Sequence, residues 1–397
     1  MQAATAAIRV ESAGDGSRVE AAGLRVSFPL AAERIEALRG EWFALADHAS
    51  EPNAFAEPWF VAASVRHLAE APIRLAEVRD SDTLIGVLPL VVEQGYGRVP
   101  VRFVQNWRHH HHFFGAPLVA AGREHDFWRA LLTGLDGEGW APGFLHLRDL
   151  TENGPLHAAL GAVATALWRP THIAYRETRA LLQSELSPDA YYEQAVRKKK
   201  RKELARLGNR LSEEGQLSAR RFAPGDDLVL WCDAFLQLEG SGWKGREGSA
   251  LNATAETDAF FRDALAGADA AGRLQIVALE LDARPIAMLV NFITPPGSFS
   301  FKTAFDERFA RFSPGVLVQR DNLAILERDD VAWMDSCASE NHPMIDSFWT
   351  ERRTIVRVTV PLAGRRRRLS HFAARKLEDF AAVARGRRSQ KPEGETA

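Results

Sequence analysis

The chain has 397 residues, 46% of them hydrophobic and 26% charged, with 50 basic against 52 acidic side chains and a formal net charge of −2. That length suits two domains with ample core, and the near-neutral balance argues against a general nucleic-acid-binding surface. Two cysteines, Cys232 and Cys337, exclude a disulfide framework or a thiolate zinc cage and fit a reducing compartment, the cytosol; nothing approaches the roughly 18 apolar residues of a membrane span, and no signal peptide is evident.

Residues 1–22 read as a loose leader. A strand at 24–28 is followed by helices at 31–46 and 59–68, then by strands at 73–78 and 84–92 separated by the turn Arg79-Asp80-Ser81-Asp82. A strand at 101–105 leads into the polar run Trp107 to His112, and a helix at 124–135, a strand at 144–147, a helix at 156–167 and a strand at 172–181 follow. The second half repeats this order. A long helix over 188–214 precedes a strand at 217–222, helices at 228–238 and 257–266, and the hairpin 274–294, whose acidic turn matches that of the first half. A strand at 299–304, a helix at 315–328, a strand at 331–337, a short helix at 343–350 and a strand at 354–360 complete it. Mixed α/β order repeated once predicts two similar repeats, 23–182 and 183–362, flanking a central cleft, with a tail over 363–397.

Several side chains offer chemistry. Ser313-Pro314-Gly315 opens a helix after a strand, so Ser313 is a candidate N-cap, and Gly315 would let an anion approach the first-turn N–H groups. His109 to His112 follow a strand end, where ligand-facing groups gather. In an extended chain only alternate imidazoles face a cleft, which selects His110 and His112 or the opposite pair; we take the former. Lys302 lies opposite Phe299 and Phe301 in the strand alternation, and Asp306 falls on the same side if the strand continues, either as a catalytic pair or as a structural one. His342 and Asp346 share a face at i, i+4 spacing, which fits proton transfer, while the missing repeated ligands argue against a metal.

These segments resemble a known superfamily. The element order and the run Lys302 to Gly315 are similar to the GNAT acyltransferases, whose pyrophosphate loop joins the fourth strand to the next helix. Together with Phe235-Leu236, Gly242-Trp243-Lys244-Gly245-Arg246, Gly248 and Phe260-Phe261-Arg262, that run resembles the double-GNAT acyltransferases associated with cellulose-biosynthesis operons, with Fem-type aminoacyl transferases more distant. The resemblance implies two tandem GNAT-like repeats, an acyl-CoA or acyl-carrier-protein thioester as donor, no permanently bound cofactor and an amine acceptor. Donor contacts are expected from Arg308, Arg311, Ser313, Gly315 and Val316 and acceptor contacts from Glu239, Trp243, Lys244 and Asp335, while His110, His112, Lys302, Asp306 and His342 are the residues placed to take a proton or steady an oxyanion in such chemistry. One departure stands out: Val316 and Leu317 occupy positions where the superfamily loop has small residues.

Two basic concentrations stand against the neutral total. Arg197 to Lys202 continues to Arg206 and Arg210 on a helix, a solvated face or a dock for phosphates, an acidic carrier protein or anionic lipid. In the tail, Leu369, Phe372, Ala373, Leu377, Phe380, Ala381 and Ala384 form one apolar stripe flanked by arginines, as on a helix lying on an anionic membrane or packed against the protein body. Neither segment has the aromatic platforms that stack on bases. The sequence thus predicts a cytoplasmic monomer, peripheral on the inner membrane, that transfers an acyl group to a lipid-like amine. The segment His342 to Arg353 resembles members acting in lipid assembly, bacterial ceramide synthases among them. The alternatives are acyl or aminoacyl transfer to an envelope saccharide or peptide precursor, and a non-catalytic membrane adaptor.

Overall fold

The computed structural model describes residues 9–11, 18–21 and 23–389, with side chains over 23–377. Fifteen strands form one mixed sheet: β1 (Arg9–Glu11), β2 (Arg18–Ala21), β3 (Leu24–Ser27), β4 (Arg74–Asp80), β5 (Thr83–Tyr96), β6 (Val99–Asn106), β7 (Leu118–Val119), β8 (Phe144–Thr151), β9 (His172–Leu182), β10 (Leu217–Arg221), β11 (Leu274–Leu281), β12 (Arg284–Thr294), β13 (Gly297–Phe305), β14 (Trp333–Asp335) and β15 (Glu351–Pro361). The strand order is 1-2-3-4-5-6-8-15-9-14-13-12-11-10, with β7 paired to β5. Strands β3, β4, β5, β6, β8 and β9 correspond one by one to β10 through β15. In each set the fourth and fifth strands are parallel and the remaining ladders antiparallel.

The last strands are exchanged. β15 from the second half lies on β8 of the first, β9 from the first half lies on β14 of the second, and the two run antiparallel through the middle. Central strands are buried on both faces, so they read as continuous apolar runs such as Leu84 to Val91. The helices Pro58–Leu68 and Ala255–Ala270 pack together across the junction, close enough that a Cβ on Gly267 would lie 2.8 Å from that of Trp59. Beside them Phe55, Phe60, Phe260, Phe292 and Phe301 join in edge-on and stacked contacts at 4.6–6.2 Å, making one core from both halves.

Four expectations change. Within the predicted leader, β1 and β2 extend the sheet edge, and its other residues lie outside those described. The long helix breaks into Pro188–Ala195 and Lys198–Ser212, because Val196 turns into the core and the Arg201 guanidinium takes the carbonyls of Glu193 and Val196. The helix predicted at 315–328 is Pro314–Asn322 continued by the 3₁₀ turn Leu323–Glu327, and the one at 343–350 is only the 3₁₀ turn Ile345–Ser347. The C-terminal helix Arg365–Ser389 forms as predicted, with Phe380, Ala381 and Ala384 outside the described side chains.

Candidate active site

Strand β13 is the platform. Its parallel pairing to β14 covers only Gly297 to Phe299, after which β13 continues alone against β12 and opens its other edge. A register shift opposite Val290 and Asn291 inserts one residue, Phe301, into this stretch. Such a bulge re-aims the following side chain, and Lys302 leaves the strand here toward the first repeat. Its Nζ lies 3.1 Å from His111 Nδ1 and 5.3 and 5.7 Å from the rings of Phe113 and Phe301.

Burial holds the Lys302 ammonium down to about 8, helped by the cation of Lys244 and opposed by the carboxylate of Glu239. His111, stacked on Phe260 at 5.7 Å, is pushed down to about 3 by burial and by Lys302. At neutral pH His111 is therefore an uncharged acceptor for the lysine ammonium. His109 fixes this geometry: Ser64 Oγ donates to the carbonyl of Phe60, which leaves it to accept from His109 Nε2, and His109 Nδ1 then accepts from the N–H of His111.

The predicted histidine phase is corrected. His112 stacks on Phe55 and donates Nε2–H to the Phe114 carbonyl inside the core, where burial pushes it down to about 3. His110 is exposed at the rim. The segment is a turn, closed by the His112 N–H on the His109 carbonyl at 3.0 Å, so strand alternation does not apply. His111, absent from the sequence-based set, was reachable only as a member of the opposite phase.

Glu239 and Lys244 do meet. Glu239 is buried, with Oε1 2.7 Å from Lys244 Nζ and Oε2 accepting the Leu251 N–H at 2.8 Å. Trp243 is half exposed, its N–H donating to Glu307, which also binds Arg246. The turn depends on glycine: a Cβ on Gly245 would fall 1.8 Å from the Gly240 carbonyl oxygen. Gly245→Ala must rebuild this turn and displace Lys244. It is expected to lower urea stability by about 1–3 kcal/mol, as overpacking does, and to shift the Lys302 titration.

Other predicted residues serve the frame. Asp306 faces Arg308, not Lys302, because the strand ends at Phe305 and its carboxylate caps the following turn while forking with the Arg308 guanidinium at 2.6–3.1 Å. Arg311 is exposed, pairs with Glu214 and covers Phe312. Ser313 stands at the N-cap in the left-handed region (φ 55°) without a side-chain cap, and its carbonyl takes the N–H groups of Val316 and Leu317. Gly315 is buried, and a Cβ there would meet the Phe305 ring at 3.1 Å, so its lack of a side chain serves packing. Val316 packs against the core. The Asp346 N–H donates to the His342 carbonyl at 2.9 Å, but the two side chains do not pair: His342 Nδ1 has no partner and the Asp346 carboxylate lies 3.4 Å from Arg352.

Asp335 is fully buried and structural. Its carboxylate accepts the Cys337 N–H at 2.8 Å and pairs with Arg353 at 3.2 Å, and Arg353 in turn bonds Thr151 Oγ1 and lies between the rings of Phe114 and Trp333. This network borders a cleft of about 560 Å³ between the repeats, lined by Glu51, Thr151, Gln183, Trp333 and Arg352. Burial raises the Glu51 carboxyl above the usual range. Among the described residues no group of three or more His, Cys, Asp or Glu could hold a metal, and no helix is long and apolar enough to cross a membrane.

Residues 198–342 match the family described as "Acetyltransferase (GNAT) domain". Lys302, Glu239 and Lys244 lie inside that match and His111 outside it, so the dyad joins the matched domain to the other repeat. The protein is thus an acyltransferase built on the GNAT fold. The whole two-repeat arrangement is similar to FemX, at 10% identity and a TM-score of 0.59, covering 85% of this chain and 98% of that one. It is also similar to a C-terminal domain from Agrobacterium fabrum described as belonging to a lysylphosphatidylglycerol synthetase (10%, TM-score 0.54, 88% and 96% covered) and to L-PGS from Bacillus licheniformis (10%, 0.52, 85% and 96%). No curated protein matches the chain by sequence.

Proposed function

We propose that the protein forms an amide by moving an acyl group from a coenzyme A thioester to a lipid-like amine, with Lys302 and His111 at the reacting centre. The observation that carries this reading is the 3.1 Å contact between Lys302 and an uncharged His111, at the point where β13 parts from β14. The neutral acceptor amine attacks the thioester carbonyl, and the oxyanion that develops is stabilised by the Lys302 ammonium in a poorly solvated site. When the carbon–sulfur bond breaks, the departing thiolate takes a proton from Lys302, whose affinity near 8 suits that exchange. The nitrogen's extra proton passes to the Lys302 amine left by that exchange, restoring the ammonium, and the free thiol leaves. The products are an amide and coenzyme A.

The donor's phosphates would lie on side chains, since the Val316 and Leu317 N–H groups are already occupied. Arg308 and Arg311 are exposed on the turn after β13, and the helix Lys198–Ser212 packs beside that turn with Arg210 over Phe312. The lipid-like acceptor is supported by the basic amphipathic tail and by similarity to a synthetase named for an aminoacylated phospholipid. A long-chain sphingoid base is the first acceptor to test; the comparisons give ceramide synthesis no support of its own. Likeness to FemX favours the second reading, acyl or aminoacyl transfer to an envelope precursor.

The test is coenzyme A release by purified protein given acyl-CoA of increasing chain length and a sphingoid amine, with thermal unfolding run alongside. Amide formation with a long-chain donor is expected, together with a rise in melting temperature specific to it. Folded protein that neither binds nor consumes any acyl-CoA would overturn the donor assignment and leave the envelope-precursor reading.

A further inference from the structure

The C-terminal helix takes no part in the bond-making steps, and its orientation is informative. The helix Arg365–Ser389 docks on β6, β8 and β15 through one face. There His371 Nε2 shares a hydrogen bond with Thr359 Oγ1 at 2.9 Å, and Ala374 is buried in the cluster of Tyr96, Phe103 and Phe144. Arg367 donates to the carbonyls of Asp136, Glu138 and Ala141. Arg367, His371 and Ala374 fall at i, i+4 and i+7, a single helical stripe.

The opposite stripe carries the large apolar side chains. Leu369, Phe372 and Leu377 are 67%, 57% and 53% exposed, three of the eight exposed large apolar side chains among the described residues. Around them Arg365, Arg366, Arg368 and Lys376 are also exposed. The described part of the predicted apolar stripe therefore faces away from the body, which is held by a polar and small-residue face. Trp168, 88% exposed with a left-handed backbone, stands at the same end of the sheet: its neighbour Arg169 donates to the Pro361 carbonyl and pairs with Asp136, which also accepts the Ala363 N–H.

We propose that this outward face of the C-terminal helix seats the protein on an anionic lipid bilayer. Leucine and phenylalanine would enter the acyl boundary while the flanking cations meet phosphate headgroups, the pattern of an interfacial helix. A second copy of the chain would set arginines against arginines, so charge complementarity selects the lipid surface. The inference stands apart from the transfer chemistry.

Flotation of the full chain with vesicles of phosphatidylcholine alone, or mixed with phosphatidylglycerol, tests it. Binding is expected only with the mixed vesicles and is expected to weaken steeply with salt. The triple variant Arg365→Gln, Arg366→Gln, Arg368→Gln is expected to lose roughly a hundredfold in partition, about fivefold per cation. Leu369→Ser with Phe372→Ser is expected to lose more than roughly tenfold. Both sets spare the docking face, and circular dichroism with thermal unfolding verifies the fold. Absence of flotation on mixed vesicles at low salt, or equal flotation of the serine variant, overturns the proposal. A chain that floats without transferring acyl groups refutes the proposed activity alone, and one that transfers without floating refutes this surface alone.

Discussion

Lys302→Met is expected to abolish transfer while making the folded chain more stable. Removing the ammonium deprives the developing oxyanion of its partner and the thiolate of its proton, a loss of about a thousandfold in kcat. Methionine fills the space between Phe113 and Phe301 without the cost of a buried charge. Burial lowers the lysine from 10.5 to about 8, so between those values the unfolded chain holds a proton that the folded chain has released. Wild-type stability must then rise with pH across this window. The methionine variant lacks that slope, and at pH 7 it should be more stable by about 3–4 kcal/mol, at about 1.4 kcal/mol per unit. Urea unfolding at several pH values measures both curves, which converge toward pH 10.5. In the wild type kcat/KM should fall above about pH 8. A variant that keeps its activity, or that is less stable at pH 7, would refute the role assigned to this lysine. His111→Ala should lower kcat by a smaller factor, and His110→Ala should leave it nearly unchanged.

Asp335→Ala acts in the other direction. It leaves the Arg353 guanidinium with only Thr151 Oγ1 and the more distant Glu51 carboxylate, and the Cys337 N–H without its acceptor, at the junction between the repeats. Breaking a buried ion pair by removing one partner costs about 3–5 kcal/mol, so a large fall in the urea midpoint is expected. Any remaining folded enzyme should show an almost unchanged KM for the amine. A raised KM with normal stability would instead restore Asp335 as an acceptor ligand.

The order of elements was legible because apolar runs and acidic hairpin turns recur in both halves, and hairpins pair locally. The strand exchange was not, because β15 chooses β8 over its own neighbour β14 through contacts about which local pattern is silent. Lys302 and the pair of Glu239 with Lys244 could be found, one from strand alternation and the other from a motif. Asp306 and His342 misled for a shared reason: each was placed by extrapolating an element past its real end, a strand in one case and a helix in the other. His111 was missed because a tight turn rotates four adjacent imidazoles into four different environments, a buried hydrogen-bond relay, the rim, the lysine and the core.

The crossed strands also bear on how the chain is made. During synthesis β8 emerges with its unpaired edge exposed, and Thr151 must wait for Ile355 before that edge is covered. Neither half can close on itself when first released, so compaction waits for nearly the whole described chain, and such long-range pairing is slow. Until then an open strand edge is a template for pairing with other chains. A protease that nicks the folded form between the halves should therefore fail to release either one.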